Sequence, residues 1–242
     1  MFVSFGRMAA LVVCAGVWVS CGFVGNVEQQ ATTDDFVRTV PQGFVGSFVV
    51  DVGDGRVVLI DVGTEAEPTE LIAALDDDNV ADDDIVAALL THAHGDHVAG
   101  LAHFSDVTSY IHPDDGEEAL AEAGVAPNAV YNIVDGTQSL QMGTRTFVIV
   151  AMPGHSPGSV AIYVDGMLFL GDSAFAKEDG RIDLAPAVFG DDLNENRRSL
   201  VRLSDWVRDH DVDVERMFFS HTGSVAGAAA LHDFADAHRD LL

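Results

Sequence analysis

The sequence predicts an α/β domain, and two observations carry this prediction. Short apolar runs of strand length alternate with longer segments in which apolar residues recur at helical spacing. Four of the apolar runs are followed at once by a loop that bears histidine or aspartate. In α/β sheets ligands usually bind at strand ends, because the loops there are held by a rigid scaffold. We therefore expect a binding site where these strands end.

The predicted elements fall into two halves of similar order. The first half has strands at 44–50 and 56–60, a helix near 68–75 and a strand at 85–90. The second half has strands at 146–151, 159–164, 167–170 and 216–220, with a helix near 195–209 before the last of them. The closing segment, 225–242, has the pattern of an amphipathic helix that covers the sheet.

The segment at 91–97 reads Thr-His-Ala-His-Gly-Asp-His and follows the apolar strand directly. Three imidazoles and a carboxylate this close together are typical of a site for zinc or a similar ion, because a neutral imidazole nitrogen binds such ions without a large pKa shift. Two neighbouring histidines cannot complete a four-ligand site. Further ligands must therefore come from elsewhere in the chain.

Three later strand ends supply candidate ligands, namely His155, Asp172 and His221. A single strand-end histidine is more often a core or surface residue than a ligand. Four strand ends that each carry His or Asp favour one shared metal site instead. The other histidines are interpreted as surface residues: His103, His112, His210, His232 and His238.

At these positions the chain resembles the metallo-β-lactamase superfamily. The H-x-H-x-D-H signature of that family is matched by His92, His94, Asp96 and His97. The later landmarks follow in order: the P-G-H-S-P-G-S loop at 153–159, the aspartate Asp172 and the last-strand histidine His221. The turn that contains Asp61 is similar to the D-x-G turn that precedes the metal loop in this family.

The resemblance implies an αββα sandwich, a single domain over 40–242, with two divalent metal ions side by side. The first metal would be bound by His92, His94 and His155. The second would be bound by Asp96, His97 and His221, and Asp172 would bridge both. Zinc is the expected metal, with manganese or iron as alternatives, since all three accept mixed histidine and carboxylate ligation.

The same resemblance implies a hydrolase of an ester, thioester, lactone or lactam, similar to glyoxalase II and the lactonases. A hydroxide shared by the two metals would attack the acyl carbon. Asp96 is the candidate catalytic residue that orients this hydroxide, and Asp61 is a candidate for fixing a ligand imidazole. Lys177 and Arg181 are the nearest candidate cations for a substrate carboxylate, unless they belong to a surface loop.

Two other functions stay open. A mononuclear iron persulfide dioxygenase uses two histidines and an aspartate of the same scaffold, and the segment 171–183 is similar to a stretch shared by glyoxalase II and persulfide dioxygenases. A non-catalytic binding protein could keep the fold, although it would have no reason to retain seven ligands. Antibiotic hydrolysis is disfavoured, because β-lactamases of this superfamily place Cys or Ser near position 172.

The charge of the chain counts against nucleic acid as a partner. It carries 39 acidic and 12 basic residues, a formal net charge of −27. A surface this negative repels phosphate backbones, so nucleic acid is not an expected substrate. The small acyl compound expected as substrate is what the family resemblance implies. The aspartate runs at 76–78 and 82–84 lack the spacing of a calcium loop and are interpreted as a solvated face. No oligomeric state is predicted.

The N-terminal segment predicts export. Residues 8–19 form an uncharged apolar stretch after Arg7, which is the layout of a secretory signal. Cys21 at its end resembles the lipidated cysteine of a bacterial lipoprotein. We therefore expect a signal over 1–21, a polar tether over 22–39 and an exported protein that is lipid-anchored in a bacterial cell envelope. An uncleaved apolar anchor is the alternative.

Overall fold

The computed structural model describes residues 30–241, so the predicted signal and the first part of the predicted tether lie outside the described residues. Within this range the helices are α1 Thr69–Asp77, α2 Gly95–Val98, α3 Gly116–Ala123, α4 Leu193–Asp209 and α5 Ala229–His238. The strands are β1 Thr32–Asp34, β2 Val37–Gln42, β3 Val45–Asp51, β4 Val57–Ile60, β5 Ile85–Leu89, β6 Ser109–Ile111, β7 Ala129–Val130, β8 Thr137–Met142, β9 Arg145–Ala151, β10 Val160–Val164, β11 Met167–Phe169, β12 Phe175–Ala176, β13 Ile182–Asp183, β14 Arg216–Phe218 and β15 Ser224–Ala226.

These strands form two large sheets and a small hairpin. The first sheet has the order β1-β2-β3-β4-β5-β6-β7, and the second has the order β15-β14-β11-β10-β9-β8. In the first sheet β4 to β7 run parallel, whereas β1 to β4 are antiparallel. Strands β12 and β13 pair only with each other. Parallel neighbours end at the same edge of a sheet, so the loops after β4, β5 and β6 lie side by side.

Three apolar clusters fill the spaces between four layers. The first lies between the two sheets, where the rings of Phe48 and Phe169 pack edge to face with centroids 4.9 Å apart. The second joins the first sheet to α1, α2 and α3, and the third joins the second sheet to α4 and α5. Each sheet thus buries both faces, which explains the near-continuous apolar runs of the central strands. The predicted αββα sandwich is confirmed.

The folded domain extends further toward the N-terminus than the sequence analysis placed it. Part of the segment expected as a tether, 22–39, forms β1 and the start of β2, and Val37 is fully buried there. Strand β2 continues the sheet beside β3, so its apolar side chains reach the core despite their polar neighbours. Among residues 30–241, no helix is both long and apolar enough to cross a membrane.

The end of the chain also differs from its predicted form. Residues 224–226 pair with β14 as an additional strand, and the last helix begins only at Ala229. Gly227 separates the two elements with φ of 66°, a left-handed conformation that ends the strand and that glycine adopts without strain. The helix predicted over 225–242 is therefore shorter, although Leu231 and Phe234 face the core as expected.

Candidate metal centre

The structure brings all seven predicted ligands together at one edge of the sandwich. Their donor atoms form three overlapping groups, and within each group the atoms lie within 4.8 Å of one another. The groups are His92, His94 and His155; His92, His97 and Asp172; and Asp96, His97 and His221. His97 and His92 each belong to two groups, so the site is one continuous cluster with room for more than one ion.

The loop that carries the first histidines is held by Asp61, the residue directly after β4. Asp61 is fully buried and adopts a left-handed backbone with φ of 54°. Its carboxylate accepts hydrogen bonds from the N–H and the hydroxyl of Thr91, both at 2.8 Å. These bonds join the loop after β4 to the loop after β5 and set where His92 begins.

Asp61 also contacts a ligand directly. Nδ1 of His97 donates to Oδ2 of Asp61 at 2.8 Å, which leaves Nε2 of His97 to face the centre of the cluster. A carboxylate in this position fixes the ring and its tautomer and makes the free nitrogen a better ligand. His221 is held similarly, since its Nδ1 lies 2.9 Å from the carbonyl oxygen of Phe44.

Three nitrogen atoms define the first subsite. Nδ1 of His94 lies 3.1 Å from Nε2 of His92 and 3.0 Å from Nε2 of His155. Burial, with help from the neighbouring histidines, holds the pKa of His92 well below its usual 6.5. Burial likewise lowers the pKa of His155 to about 4. Both rings are neutral at physiological pH, the state in which imidazole binds a metal.

The second subsite is more acidic. Nε2 of His221 lies 3.1 Å from Oδ2 of Asp96 and 3.0 Å from Oδ2 of Asp172. Burial lowers the pKa of His221, but these two carboxylates outweigh it and raise the pKa to about 10. Without an ion, a proton on His221 supplies the positive charge that this part of the cluster requires.

Asp172 faces both subsites. Its Oδ2 lies 3.6 Å from Nε2 of His155, on the first subsite, while its Oδ1 lies 3.5 Å from Nε2 of His97, on the second. Burial alone would raise the pKa of Asp172, but His221 and His97 hold it well below the usual range. Oδ1 of Asp172 and Nε2 of His97 are buried and make no hydrogen bond within the described part of the chain. Buried polar atoms are almost always satisfied, so this donor set fits divalent cations.

Asp115 was not among the predicted site residues. It follows β6, the parallel neighbour of β5, and it is fully buried with both carboxylate oxygens hydrogen-bonded to the two loops that flank it. The sequence held only a weak indication, because the stretch before Asp115, 107–111, mixes apolar residues with Thr and Ser and does not form an apolar run. Asp115 lies within an acidic stretch, where a single buried carboxylate is not distinguishable by composition.

The two cations proposed for a substrate carboxylate lie on the β12–β13 hairpin. Arg181 is exposed, with 79% of its side chain accessible, and its guanidinium pairs with Asp179 at 2.7 Å. Lys177 is half-buried at the start of the hairpin turn, where its N–H donates to the carbonyl of Arg181. The structure thus commits Arg181 to a partner on its own hairpin.

The surroundings of the ligands combine apolar and acidic side chains. Phe44 is 53% exposed and its ring stacks on His221 with centroids 5.7 Å apart. Phe189 is also exposed and belongs to the loop whose Asp191 donates its N–H to the carbonyl of His155. Glu118 interacts electrostatically with His94 and Asp191, and burial raises the pKa of this glutamate. An incoming molecule meets apolar rings and negative charge here.

The protonation of these histidines predicts how the metal-free protein responds to pH. His221 binds its proton more tightly when folded, so its stabilising contribution is complete below about pH 6.5 and is lost as the pH rises to about 10. His155 must be neutral in the folded state, so stability also falls as the pH drops from 6.5 toward about 4. We therefore expect the melting temperature of the metal-free protein to be highest near pH 6.5, between the acid loss from His155 and the alkaline loss from His221.

Thermal melting of chelator-treated protein at about pH 5, 6.5 and 9, at constant ionic strength, checks this expectation. The His221→Ala variant is the matched control and should lose part of the alkaline decline. A melting temperature that does not fall between pH 6.5 and 9 would contradict the protonation described above. Bound metal should replace the proton and remove the alkaline decline.

Comparison with known proteins agrees with this geometry. A family model described as the metallo-beta-lactamase superfamily matches residues 40–206. A hydroxyacylglutathione hydrolase of Yersinia pestis (strain Pestoides F) is 37% identical over 100 residues, which are 40% of this chain and 36% of that protein. One of Serratia proteamaculans (strain 568) is 33% identical over 135 residues, 56% of this chain and 49% of that protein. The chain therefore covers less than half of these relatives.

Solved structures match a larger part of this chain than the two hydrolase sequences do. A metallo-beta-lactamase from Pseudomonas aeruginosa, in its mono-zinc form, superposes with a TM-score of 0.67 at 17% identity, covering 90% of this chain and 97% of that one. A metallo-beta-lactamase family protein from Thermus thermophilus has a TM-score of 0.63 at 22% identity, covering 85% of this chain and 80% of that one. At these identities the likeness concerns the fold alone.

Proposed function

The chain belongs to the metallo-beta-lactamase superfamily, and we propose that it is a two-metal hydrolase of uncharged acyl compounds. The observation that carries this proposal is the position of Asp172 between two groups of nitrogen and oxygen donors. One ion needs about four ligands, whereas seven donors converge here. A single carboxylate that faces both groups is suited to hold two cations together.

The residues divide the work of the proposed reaction between them. His92, His94 and His155 would hold one cation, and Asp96, His97 and His221 the other, with Asp172 shared. Two such cations, when bound, polarise an acyl carbonyl and lower the pKa of water toward neutrality. Burial raises the pKa of Asp96, but His97 and His221 outweigh it, so this carboxylate is ionised and can accept a hydrogen bond from the attacking water.

Asp96 is suited to that contact by its exposure. Its side chain is 24% accessible, whereas that of Asp172 is 6% accessible and that of His97 is fully buried. A carboxylate at the open face of the cluster reaches incoming water, while the buried members hold the arrangement rigid. Preorganised groups of this kind need no reorganisation during the reaction, and this is a large part of their catalytic effect.

The rim of the site supports an uncharged substrate with an apolar group. The curated relatives are named for hydroxyacylglutathione, which is an anionic thioester. Here the rim carries Glu118 and Asp191, and the net charge of the chain is −27, so an anion is repelled as it approaches. Phe44 and Phe189 offer apolar surface instead. Esters and lactones without formal charge fit these surroundings better than glutathione thioesters do.

A matched substrate panel tests this proposal. We expect zinc-loaded protein to hydrolyse an uncharged aryl butyrate ester or a γ-lactone with a kcat/KM at least about tenfold above that for a glutathione thioester, a difference of roughly 1.4 kcal/mol. Added salt should narrow the gap by lowering the KM for the anion, because it screens the acidic rim. Protein treated with chelator is the control.

Two results would contradict the proposal in different ways. Protein that binds two metals per chain and hydrolyses none of the substrates is not an acyl hydrolase. Protein that hydrolyses the glutathione thioester fastest, with no dependence on salt, is a hydrolase whose rim does not select against anions.

A further inference from the structure

Asp115 joins the two loops that supply the first metal subsite. Its Oδ2 accepts hydrogen bonds from the N–H of Ala93 at 3.1 Å and from the hydroxyl of Ser156 at 2.6 Å. Its Oδ1 accepts from the N–H of Gly158 at 2.6 Å. Ala93 lies between His92 and His94, and Ser156 directly follows His155. One carboxylate therefore binds beside each of the three histidines.

This contact requires a glycine on the opposite loop. A Cβ at position 158 would lie 2.6 Å from Cγ of Asp115, closer than any real Cβ contact. Gly158 does not have a positive φ, so its backbone conformation does not require glycine. Glycine is needed here because any side chain would collide with Asp115. The close approach leaves no space for water between the carboxylate and this loop, so the contact is direct and rigid.

The first subsite depends on the hydrogen bonds of Asp115 more than the second subsite does. Asp61 contacts His97 of the second subsite directly but reaches the first subsite only through Thr91. The carbonyl of His97 also accepts from the N–H of Val62 at 2.8 Å. The bases of the two Asp115-linked loops are joined separately, where the N–H of Val160 donates to the carbonyl of Thr91 at 2.8 Å. Loss of Asp115 would thus leave the strands in register and the backbone hydrogen bond of His155 to Asp191 in place, and would remove the link between the tips of the two loops.

We propose that Asp115 is the positioning residue of the first metal subsite, setting the distance between the histidine pair at 92 and 94 and the histidine at 155. It corresponds in the first subsite to Asp61 in the second, although it acts through backbone N–H groups and a serine instead of through an imidazole. Replacing a residue that holds metal ligands in place typically lowers metal affinity by roughly 10- to 100-fold. This inference rests on the two-metal site of the proposed function.

Metal binding in single-subsite backgrounds tests this role without any measurement of catalysis. In His221→Ala, which disables the second subsite, adding Asp115→Asn should weaken Co²⁺ binding about 10- to 100-fold. In His94→Ala, which disables the first subsite, the same addition should change the affinity less than about twofold. Affinity is measured by competition with a chelator, and the visible absorption of bound Co²⁺ reports the ligand geometry.

Two further variants separate positioning from general stability. Asn128→Ala removes side-chain hydrogen bonds to Ser109 and Val107 beside β6 and should lower the melting temperature without changing Co²⁺ affinity in either background. Ser156→Ala removes one of the three contacts of Asp115, together with the contact between the hydroxyls of Ser156 and Ser159. It should therefore weaken the first subsite less than Asp115→Asn, and the two changes should not be additive.

The outcomes are distinct. Selective loss of affinity in the His221→Ala background supports the proposal, and so does a changed Co²⁺ spectrum there. Equal loss in both backgrounds, or unchanged affinity in both, overturns it. Wild-type protein that binds a single Co²⁺ would instead contradict the proposed two-metal function, while the comparison in the His221→Ala background still decides the role of Asp115.

Discussion

Replacing Asp172 with alanine is expected to lower acyl hydrolysis by about two orders of magnitude or more, since it removes a preorganised group that the two proposed cations would share. The change also takes away the negative charge that faces His97, His155 and His221. Both cations should then bind more weakly, so part of the lost activity should return at high metal concentration. Steady-state kinetics at several zinc concentrations measure the two effects together.

Asp172→Asn is the matched control, because it keeps the shape of the side chain and removes the charge. It should resemble the alanine variant in metal affinity if charge is what matters. Full activity in Asp172→Ala, with metal content unchanged, would show that this carboxylate lies outside the reaction.

Replacing Asp61 with alanine is expected to destabilise the metal-free protein by about 3 to 5 kcal/mol. Four buried donors lose an acceptor at once: the N–H and hydroxyl of Thr91, Nδ1 of His97 and, at 3.5 Å, the hydroxyl of Ser220. An unsatisfied buried donor costs its full desolvation, and Asp61 is fully buried, so water cannot substitute. Urea denaturation of chelator-treated protein measures the free energy of unfolding.

Thr91→Val provides the control for this variant. It preserves volume and removes one hydroxyl, and we expect a loss of about 1 kcal/mol. A loss for Asp61→Ala no greater than that for Thr91→Val would mean that the carboxylate does not hold the loop after β5. Hydrogen exchange at the amide of Thr91 would then be unchanged as well.

The seven candidate ligands could be identified from the sequence because each of them follows a recognisable local pattern. Apolar runs mark strands, and the residue after a strand is held in a loop by the sheet. The parallel pairing of β4 with β5 makes Asp61, His92 and His94 neighbours. The pairing of β5 with β6 brings Asp115 beside them. Local patterns do not specify this strand order. The resemblance to a family with a known order supplied it.

Residues whose role depends on a distant contact were not predictable in this way. Asp115 matters because Gly158, 43 positions later, approaches it on the opposite loop. Strand β2 is recognisable only once β3 is beside it, and β15 forms because it pairs with β14 at the free edge of the second sheet. Tertiary pairing decides these elements. The polar composition of 22–39 placed the start of β2 in the tether, and the apolar spacing after 225 placed most of β15 in the last helix.

The proposed chemistry depends on a site that holds two cations. The most direct measurement is elemental analysis of protein purified without added metal, repeated after reconstitution with zinc. The structure of the donor set predicts two divalent ions per chain, because His92, His94 and His155 on one side and Asp96, His97 and His221 on the other converge around Asp172. One iron per chain, with no second metal after reconstitution, would contradict the proposed hydrolase and favour a mononuclear iron oxygenase.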